Sequence, residues 1–294
     1  MRALIDRIND RRDGEIAMKK VFVWVVAIMM LLALAACGEN PVDTSNTATN
    51  GTSEPTTTNN PTKPDEKVTI YIPDEVIAAD PTGMQLTLQY VFEDGWQDKE
   101  SFSATCGICD ENGLSAVIST VTYSERLTVM EIAGTNRTET VLDENGRAIA
   151  QTMTYLREDV ELEKTETVST YDEFGRILAQ ETTRYYSNEL GSVETMVDCY
   201  TYTETDTGSE GRMQDGGIVY VRIYDKNYRC VRSITILNGE EAVRTDSEYD
   251  EVGNLIKSIS YSYGEKTQEI YYTWKAVEVS AEFAERMPQF KVKK

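Results

Sequence analysis

The sequence predicts an all-β fold, a curved antiparallel meander built from repeated hairpins and ending in a short helix. Three observations predict it. A nearly constant turn recurs at 109–113, 142–146, 171–175, 224–228 and 249–253, as in Tyr171-Asp172-Glu173-Phe174-Gly175 and Tyr249-Asp250-Glu251-Val252-Gly253. Runs rich in β-branched and aromatic residues flank each copy. Helical periodicity is confined to the last few residues.

The turn chemistry supports the repeat. Asp at the first turn position and Gly at the fourth suit a type I turn closed by a residue in the left-handed region. The expected turn residues are Asp110 and Gly113, Asp143 and Gly146, Asp172 and Gly175, Asp225, and Asp250 and Gly253. The Asp residues are spaced by 33, 29, 53 and 25 positions, and the 53 reads as two periods with a degenerate turn within 205–217. One period then holds two strands, which gives roughly ten to fourteen strands in all. A two-sheet sandwich or a closed barrel is the rival, and it calls for cleaner alternation than most of these strands show.

The elements follow in order. Val68-Thr69-Ile70-Tyr71-Ile72 is a strand stopped by Pro73, and 84–92 alternates with its even positions apolar. Asp94-Gly95 marks a tight turn. The segments 138–142 and 163–170, mostly Thr, Glu and Ser, read as strands with little burial. In 255–263, Leu255, Ile259, Tyr261 and Tyr263 alternate with Ser258, Ser260 and Ser262. A last strand over 268–279 carries Tyr271, Tyr272 and Trp274. The segment 281–287 then forms two helical turns with Phe283 and Met287 on one face, suited to capping a sheet edge.

The repeat resembles the YD-repeat family, named for the Tyr-Asp pair and the Gly-Arg or Gly-Asn that follows. Tyr171-Asp172…Gly175-Arg176 and Tyr249-Asp250…Gly253-Asn254 match it best, and Gly146-Arg147 keeps half of the pattern. The resemblance spans about 105–263. It implies a curved sheet rather than a toxin shell, since five or six units are too few to enclose cargo.

The N-terminal region reads as an address. Lys19 and Lys20 precede an apolar run over 21–34, and Leu34-Ala35-Ala36-Cys37 ends it. The run is short for a membrane span and of signal-peptide length. These residues resemble the lipobox of bacterial lipoproteins. The resemblance implies cleavage before Cys37 and a lipid of the palmitate type on its thiol. The expected organisation is 1–17 as an over-called start, 18–36 as signal peptide, 37–67 as lipidated cysteine with a disordered Thr/Asn/Pro-rich tether, and 68–294 as the β domain. Thirty flexible residues span roughly 30 Å. The tether composition favours a Gram-positive cell surface, lipid-anchored and extracytoplasmic.

Composition excludes several chemistries. The chain has no His, which removes Ser-His-Asp and Cys-His sites and His-rich zinc sites. It has 29 Lys+Arg and 50 Asp+Glu; 6 and 4 of these lie before 38, so the mature part carries 23 against 46, or −23. Such a charge repels nucleic acid and anionic lipid. Cys106-Gly107-Ile108-Cys109 is a single C-x-x-C outside any βαβ context and reads as packing. Cys199 and Cys230 fall on strands separated by another strand, too far apart for a disulfide. The acidic turns offer too few oxygens for Ca²⁺, so no metal and no cofactor is expected. Tyr171, Tyr224 and Tyr249 recur along one stripe and read as cross-strand packing; the functional alternative is a stacking surface with Trp96 or Trp274.

These readings point to a membrane-anchored lipoprotein with a non-catalytic binding or scaffolding role. Its partners are the membrane through the Cys37 lipid, and a glycan or cell-surface protein. The alternative is a carboxylate-dependent enzyme acting on glycans.

Overall fold

The chain's computed structural model describes residues 66–293 apart from 111–112, 133–134, 158–159 and 187–192. Eighteen strands of one sheet account for most of it. The first nine are β1 (Lys67–Ala79), β2 (Gln85–Phe92), β3 (Phe102–Asp110), β4 (Gly113–Ser124), β5 (Leu127–Ile132), β6 (Asn136–Leu142), β7 (Ala148–Arg157), β8 (Val160–Tyr171) and β9 (Ile177–Tyr186). The rest are β10 (Val193–Cys199), β11 (Thr201–Thr205), β12 (Gly208–Asp215), β13 (Ile218–Asp225), β14 (Cys230–Leu237), β15 (Glu240–Tyr249), β16 (Leu255–Ser262), β17 (Glu265–Ser280) and β18 (Lys291–Val292). One helix, α1 (Ala281–Arg286), follows β17. The all-β antiparallel meander with a short C-terminal helix is what the sequence predicts.

The strands outnumber the expected ten to fourteen, because strands also lie before and after the repeats, one segment counts twice as β10 and β11, and three strands separate Asp110 from Asp143. The meander also curls back on itself. β1 pairs antiparallel with β2 through Glu75–Ala79 and with β17 along nearly its whole length, from Lys67↔Ser280 to Ala79↔Glu269. The ring of pairings therefore returns to its start. Its seam is at β10 and β11, one extended segment that changes partner at Tyr200. Val193–Cys199 pairs with β9, and Thr201–Thr205 pairs with β12. The result is a nearly closed barrel, which the weak alternation of the middle strands conceals in the sequence.

Cross-strand register assigns the two faces. Arg222 on β13 reaches Gln180 on β9 across the intervening strands, so their face is concave. The row Thr128, Thr140, Gln151, Thr167, Thr182, Met196 runs along that face. The segment 138–142 is thus not a solvated strand, whereas 163–170 has little burial beyond Ser169. Thr138 and Thr140 are buried, and their hydroxyl face turns inward. The same inversion holds in β16. Ser258 is buried and pairs with buried Ile270, while Ile259 faces Glu269 on the outer side. A bulge at Tyr249/Leu255 returns Leu255 to the inner side.

The outer face carries charge. Lys257 and Lys266 both bind Glu269, at 3.0 and 2.9 Å. Arg244 lies 3.3 Å from Asp246, and Lys164 lies 2.6 Å from Glu166. Exposed apolar side chains, among them Val141, Val168 and Val197, lie on the same outer face. Among the described residues no helix is long and apolar enough to cross a membrane.

The densest core lies at one end, called here the helix end. Phe283, Ala284 and Met287 pack with Phe290 against Ile70 and Ile72 of β1, Phe102 and Ala104 of β3, and Val121 and Tyr123 of β4. Trp96 sits among Phe92, Phe102 and Phe283 at 5.1–5.5 Å, so it is core and not a stacking surface. Ser280 caps α1 by accepting the Phe283 N–H. The helix does not cap the sheet edge. That role falls to β18, which pairs with β1 at Ile70 and Tyr71 beside the stretch that β2 leaves unpaired.

Candidate functional site

Four of the five marked turns share one geometry at the helix end. In each, Asp Oδ1 accepts the backbone N–H groups two and four residues on, and Asp250 Oδ1 also that of Gly253. For Asp172 these are Phe174 at 3.0 Å and Arg176 at 2.8 Å, and its Oδ2 accepts Arg176 Nε at 2.7 Å. Asp143 holds Asn145, Arg147 and the Arg147 side chain in the same way. Asp225 does so with Asn227 and Arg229, and Asp250 with Val252 and Asn254. The Gly-Arg or Gly-Asn of the motif thus has a physical reason, since the last residue returns its side chain to the first. Gly146, Gly175 and Gly253 take φ of +77°, +86° and +98°. Tyr228 takes +58° in the fourth copy, against the usual cost of that region, and its ring stacks on Phe174 at 4.7 Å.

Each turn is then read by the next repeat. Tyr171 donates its hydroxyl to Ala148 O at 2.8 Å, and Tyr202 to Ile177 O at 2.7 Å. Tyr249 donates to Cys230 O at 3.1 Å, and Trp274 Nε1 to Leu255 O at 2.8 Å. Three of these rings also carry the preceding arginine. Arg147 lies over Tyr171, Arg176 over Tyr202 and Arg229 over Tyr249, at 5.0, 4.4 and 5.5 Å. Tyr171 and Tyr249 of the expected stripe are therefore buttresses, while Tyr224 meets the Tyr202 hydroxyl at 3.5 Å. The degenerate copy turns at 206–207, between β11 and β12, and keeps its buttress in Tyr202.

The structure separates the first copy from the rest. Asp110 closes β3 and pairs with Gly113 at the opposite, far end of the barrel. Its apparent spacing of 33 to Asp143 mixes the two ends. The helix-end reversal before Asp143 is at Glu125–Arg126 instead, where Leu142 N donates to Arg126 O. Cys37 and the segments 1–17, 18–36 and nearly all of 37–67 lie outside the described residues.

Among the described residues Cys106, Cys109 and Cys199 form no disulfide. Cys106 is buried, and that burial pushes its thiol up to about 11. Cys199 on β10 and Cys230 on β14 are separated by β12 and β13, two strands rather than one. No cluster of three metal-ligating side chains occurs among the described residues.

The chemistry concentrates on the concave face. Gln180 donates to Ser169 Oγ at 3.2 Å, and Thr167 and Thr182 hydroxyls meet at 3.3 Å. Arg222 Nε donates to the Tyr200 hydroxyl and Nη2 to Gln180 Oε1, both at 3.3 Å. Asp198 pairs with Gln180 in register. Burial raises its carboxyl pKa, Asp215 adds to the rise and Arg222 partly offsets it. Several buried polar atoms of this face have no protein partner: Asn136 Oδ1, Asp198 Oδ1, Ser209 Oγ, Ser258 Oγ and Tyr272 OH. Unpaired buried polar groups are costly and rare, and five of those among the described residues lie on this face.

Sequence reasoning missed this wall. Alternation of Thr, Ser and Gln with Val and Ile was visible, but the inner face of a wide barrel is not required to be the apolar one.

No known family model matches the chain, and no curated protein does. Among solved structures, a porin-like protein from Bacteroides uniformis aligns with a TM-score of 0.38 and 11% identity over 73% of this chain and 99% of that one. A porin-like protein from Bacteroides vulgatus aligns at 0.35 and 10% over 69% and 98%. A DUF1329 family protein from Desulfovibrio piger aligns at 0.26 and 8% over 74% and 87%. Likeness at this level carries no argument about activity.

Proposed function

We propose that the mature protein is a non-catalytic binding lipoprotein, anchored outside a bacterial cell by a lipid on Cys37, with the concave face of the barrel as its binding surface. The observation that carries the binding role is the set of buried, unpartnered polar atoms on that face. The lipid anchor rests on Lys19, Lys20 and Leu34-Ala35-Ala36-Cys37, and the Thr/Asn/Pro-rich tether supports a Gram-positive surface. β1 begins at the helix end, where its Lys67 pairs with Ser280. A tether arriving there directs the far end away from the membrane. The absence of His and the net acidity support a role without nucleophilic chemistry and without nucleic acid.

Expression in a Gram-positive host tests the anchor. Wild-type protein partitions with membranes and carries acyl chains at Cys37, whereas Cys37→Ala is released or stays uncleaved. Retention of a cleaved Cys37→Ala protein would sink the anchor. Binding is tested separately, by hydrogen exchange of the β domain with cell-wall extract; protection confined to the outer face would count against the concave surface.

One observation favours a second reading, a carboxylate-dependent glycan hydrolase. Asp198 is an acid with a raised pKa beside a second carboxylate, Asp215. Product analysis decides it: turnover abolished by Asp198→Asn would replace binding with hydrolysis.

A further inference from the structure

The middle of the concave wall combines features that the rest of it lacks. Gln180 on β9, Asp198 on β10, Tyr200 at the seam and Arg222 on β13 converge there. Arg222 Nε and Nη2 donate to Tyr200 and Gln180, and its Cζ lies 5.1 Å from the Tyr200 ring centre. The described contacts of this guanidinium are to neutral groups rather than to a carboxylate. Asp198 Oδ1 is buried and accepts from no protein group. Tyr220 on β13 feels the charges of Asp198, Asp215 and Arg184, and Tyr155 on β7 feels Glu163 and Arg184. Arg184 in turn faces Glu194 across β9 and β10. Ser209, fully buried and unpartnered, lies one row further along the same face, next to Gly211 and Arg222.

Charge decides what such a site can hold. Arg184 and Arg222 stand among Asp198, Asp215, Glu194 and Glu163. An anionic ligand meets four carboxylates, and a cationic one meets two guanidinium groups. The excess of two carboxylates repels an anion, and the two guanidinium groups set among them leave no cluster of carboxylates for a cation. A neutral ligand rich in hydroxyls fits instead. Its O–H groups donate to Asp198 Oδ1, its oxygens accept from Arg222 and Gln180, and its C–H faces lie on the rings of Tyr220 and Tyr155. The rows of Thr and Ser hydroxyls on either side extend the same chemistry along the wall.

We infer that Gln180, Asp198, Tyr200, Tyr220 and Arg222 form a subsite for an uncharged oligosaccharide on the concave face. This rests on the binding reading above and gives it a substrate class. Asp198 accepts from adjacent hydroxyls, Arg222 donates to them, Tyr200 holds Arg222 in place, and Tyr220 supplies the stacking platform.

The test uses residues 38–294, which contain every strand of the ring. Calorimetric titration with cellohexaose, xylohexaose, mannohexaose and chitohexaose is compared with trigalacturonate and inorganic phosphate. The expected result is binding of at least one neutral hexaose, weakened tenfold or more by Asp198→Asn and by Arg222→Gln, with no comparable uptake of trigalacturonate or phosphate. Hydrogen exchange should slow in β9, β10 and β13 when the sugar is present. Tyr220→Ala, at a half-buried ring, serves should either polar variant fail to fold, and it too weakens binding tenfold. Tighter binding of the anionic sugar, or neutral binding that the variants leave unchanged, overturns the inference. If no hexaose binds but a muropeptide slows exchange in the concave strands, the sugar class falls and the binding reading stands. If no probe slows exchange in any concave strand, both fall.

Discussion

The two ends of the barrel are built on different principles. At the helix end, Asp143, Asp172, Asp225 and Asp250 each tie their own turn together, and an aromatic side chain of the next repeat holds it from outside. The aromatic core around α1 closes the same end, with Gln289 reaching Ser124 O and Arg286 reaching Lys99 O. At the far end, described reversals such as Asn238-Gly239 and Tyr263-Gly264 are short hairpins with left-handed residues. The 80–84 turn there has Asp80 Oδ1 accepting from Thr82 N and Met84 N, with no arginine returning to the carboxylate. The difference teaches that one hairpin sequence style serves two purposes, a locked base and a plain rim, and that only the base needs the Asp…Arg signature.

The largest effect is expected where the base is most interlocked. Arg176, with 7% of its side chain exposed, binds Asp172 and Glu204 and lies within 4.4–5.6 Å of the Phe174, Tyr202 and Tyr228 ring centres. Arg176→Ala strands the Asp172 carboxylate and should cost about 3 kcal/mol, lowering Tm by roughly 6–10 °C. A loss no larger than that of an exposed far-end ion pair such as Arg137–Glu131 would erase the contrast.

Next comes Gly146, where a Cβ would meet Pro288 O at 2.3 Å and where φ is +77°. Gly253 has φ of +98° but open space around it. Gly146→Ala should therefore cost about 2–3 kcal/mol and Gly253→Ala about 1 kcal/mol, read by denaturant melts. Equal costs would show that the C-terminal segment does not bear on the turn.

Thiol accessibility sharpens the comparison within the wall. Cys199 is exposed, while Cys106 is buried with its thiol raised to about 11. Iodoacetamide at pH 8 should label Cys199 in the native protein and Cys106 only on unfolding. Mass spectrometry finding native Cys106 labelled first would contradict the packing of β2–β4.

The pH response of the outer face is smaller. Hydrogen bonds from Tyr271, Lys266 and Lys257 hold Glu269 down to about 2, below its ordinary 4.5. A depressed carboxylate stabilises the fold above its unfolded pKa, and that contribution fades as pH falls from about 4.5 towards 2. Glu269→Gln should lower Tm by roughly 1–2 °C at pH 7 and by nothing near pH 2. The smallest effect is at the rim. Tyr263 holds φ of +49° while 65% exposed, so Tyr263→Asn should raise Tm by about 1 °C.

Much of the fold was legible, and the illegible parts share a cause. The Asp-Gly turns, the alternation of β2 and the helix after Ser280 are local signals, and the sequence carries them in full. Closure is not local: Val68 meets Val279 and Ala78 meets Ile270 across nearly the whole chain, and no pattern in either segment names the other. The face assignment misled for a different reason. Ser258, Thr138 and Thr140 look solvated by composition, yet they line an interior wide enough to be polar. The Cys109–Gly113 copy shares turn chemistry with the rest but sits at the other end, because a turn motif records geometry and not position. Within the proposed site, Arg222 and Asp198 had no sequence signal, since nothing in a strand pattern marks which of many charges points inward.

The long β1–β17 ladder has a mechanical consequence. Twelve residues of β1 pair with β17, and β1 is the first strand after the segment that leads back to Cys37. A pull arriving at Lys67 along the strand axis loads all of those rungs together, in shear, rather than peeling them one at a time. The flanking contacts of β18 and β2 add to the same load path. A particle held at the far rim and dragged by flow would therefore strain the strongest clamp in the molecule first. Single-molecule extension from residue 66 should meet its highest force peak at the start of unfolding, before any of the Asp turns opens.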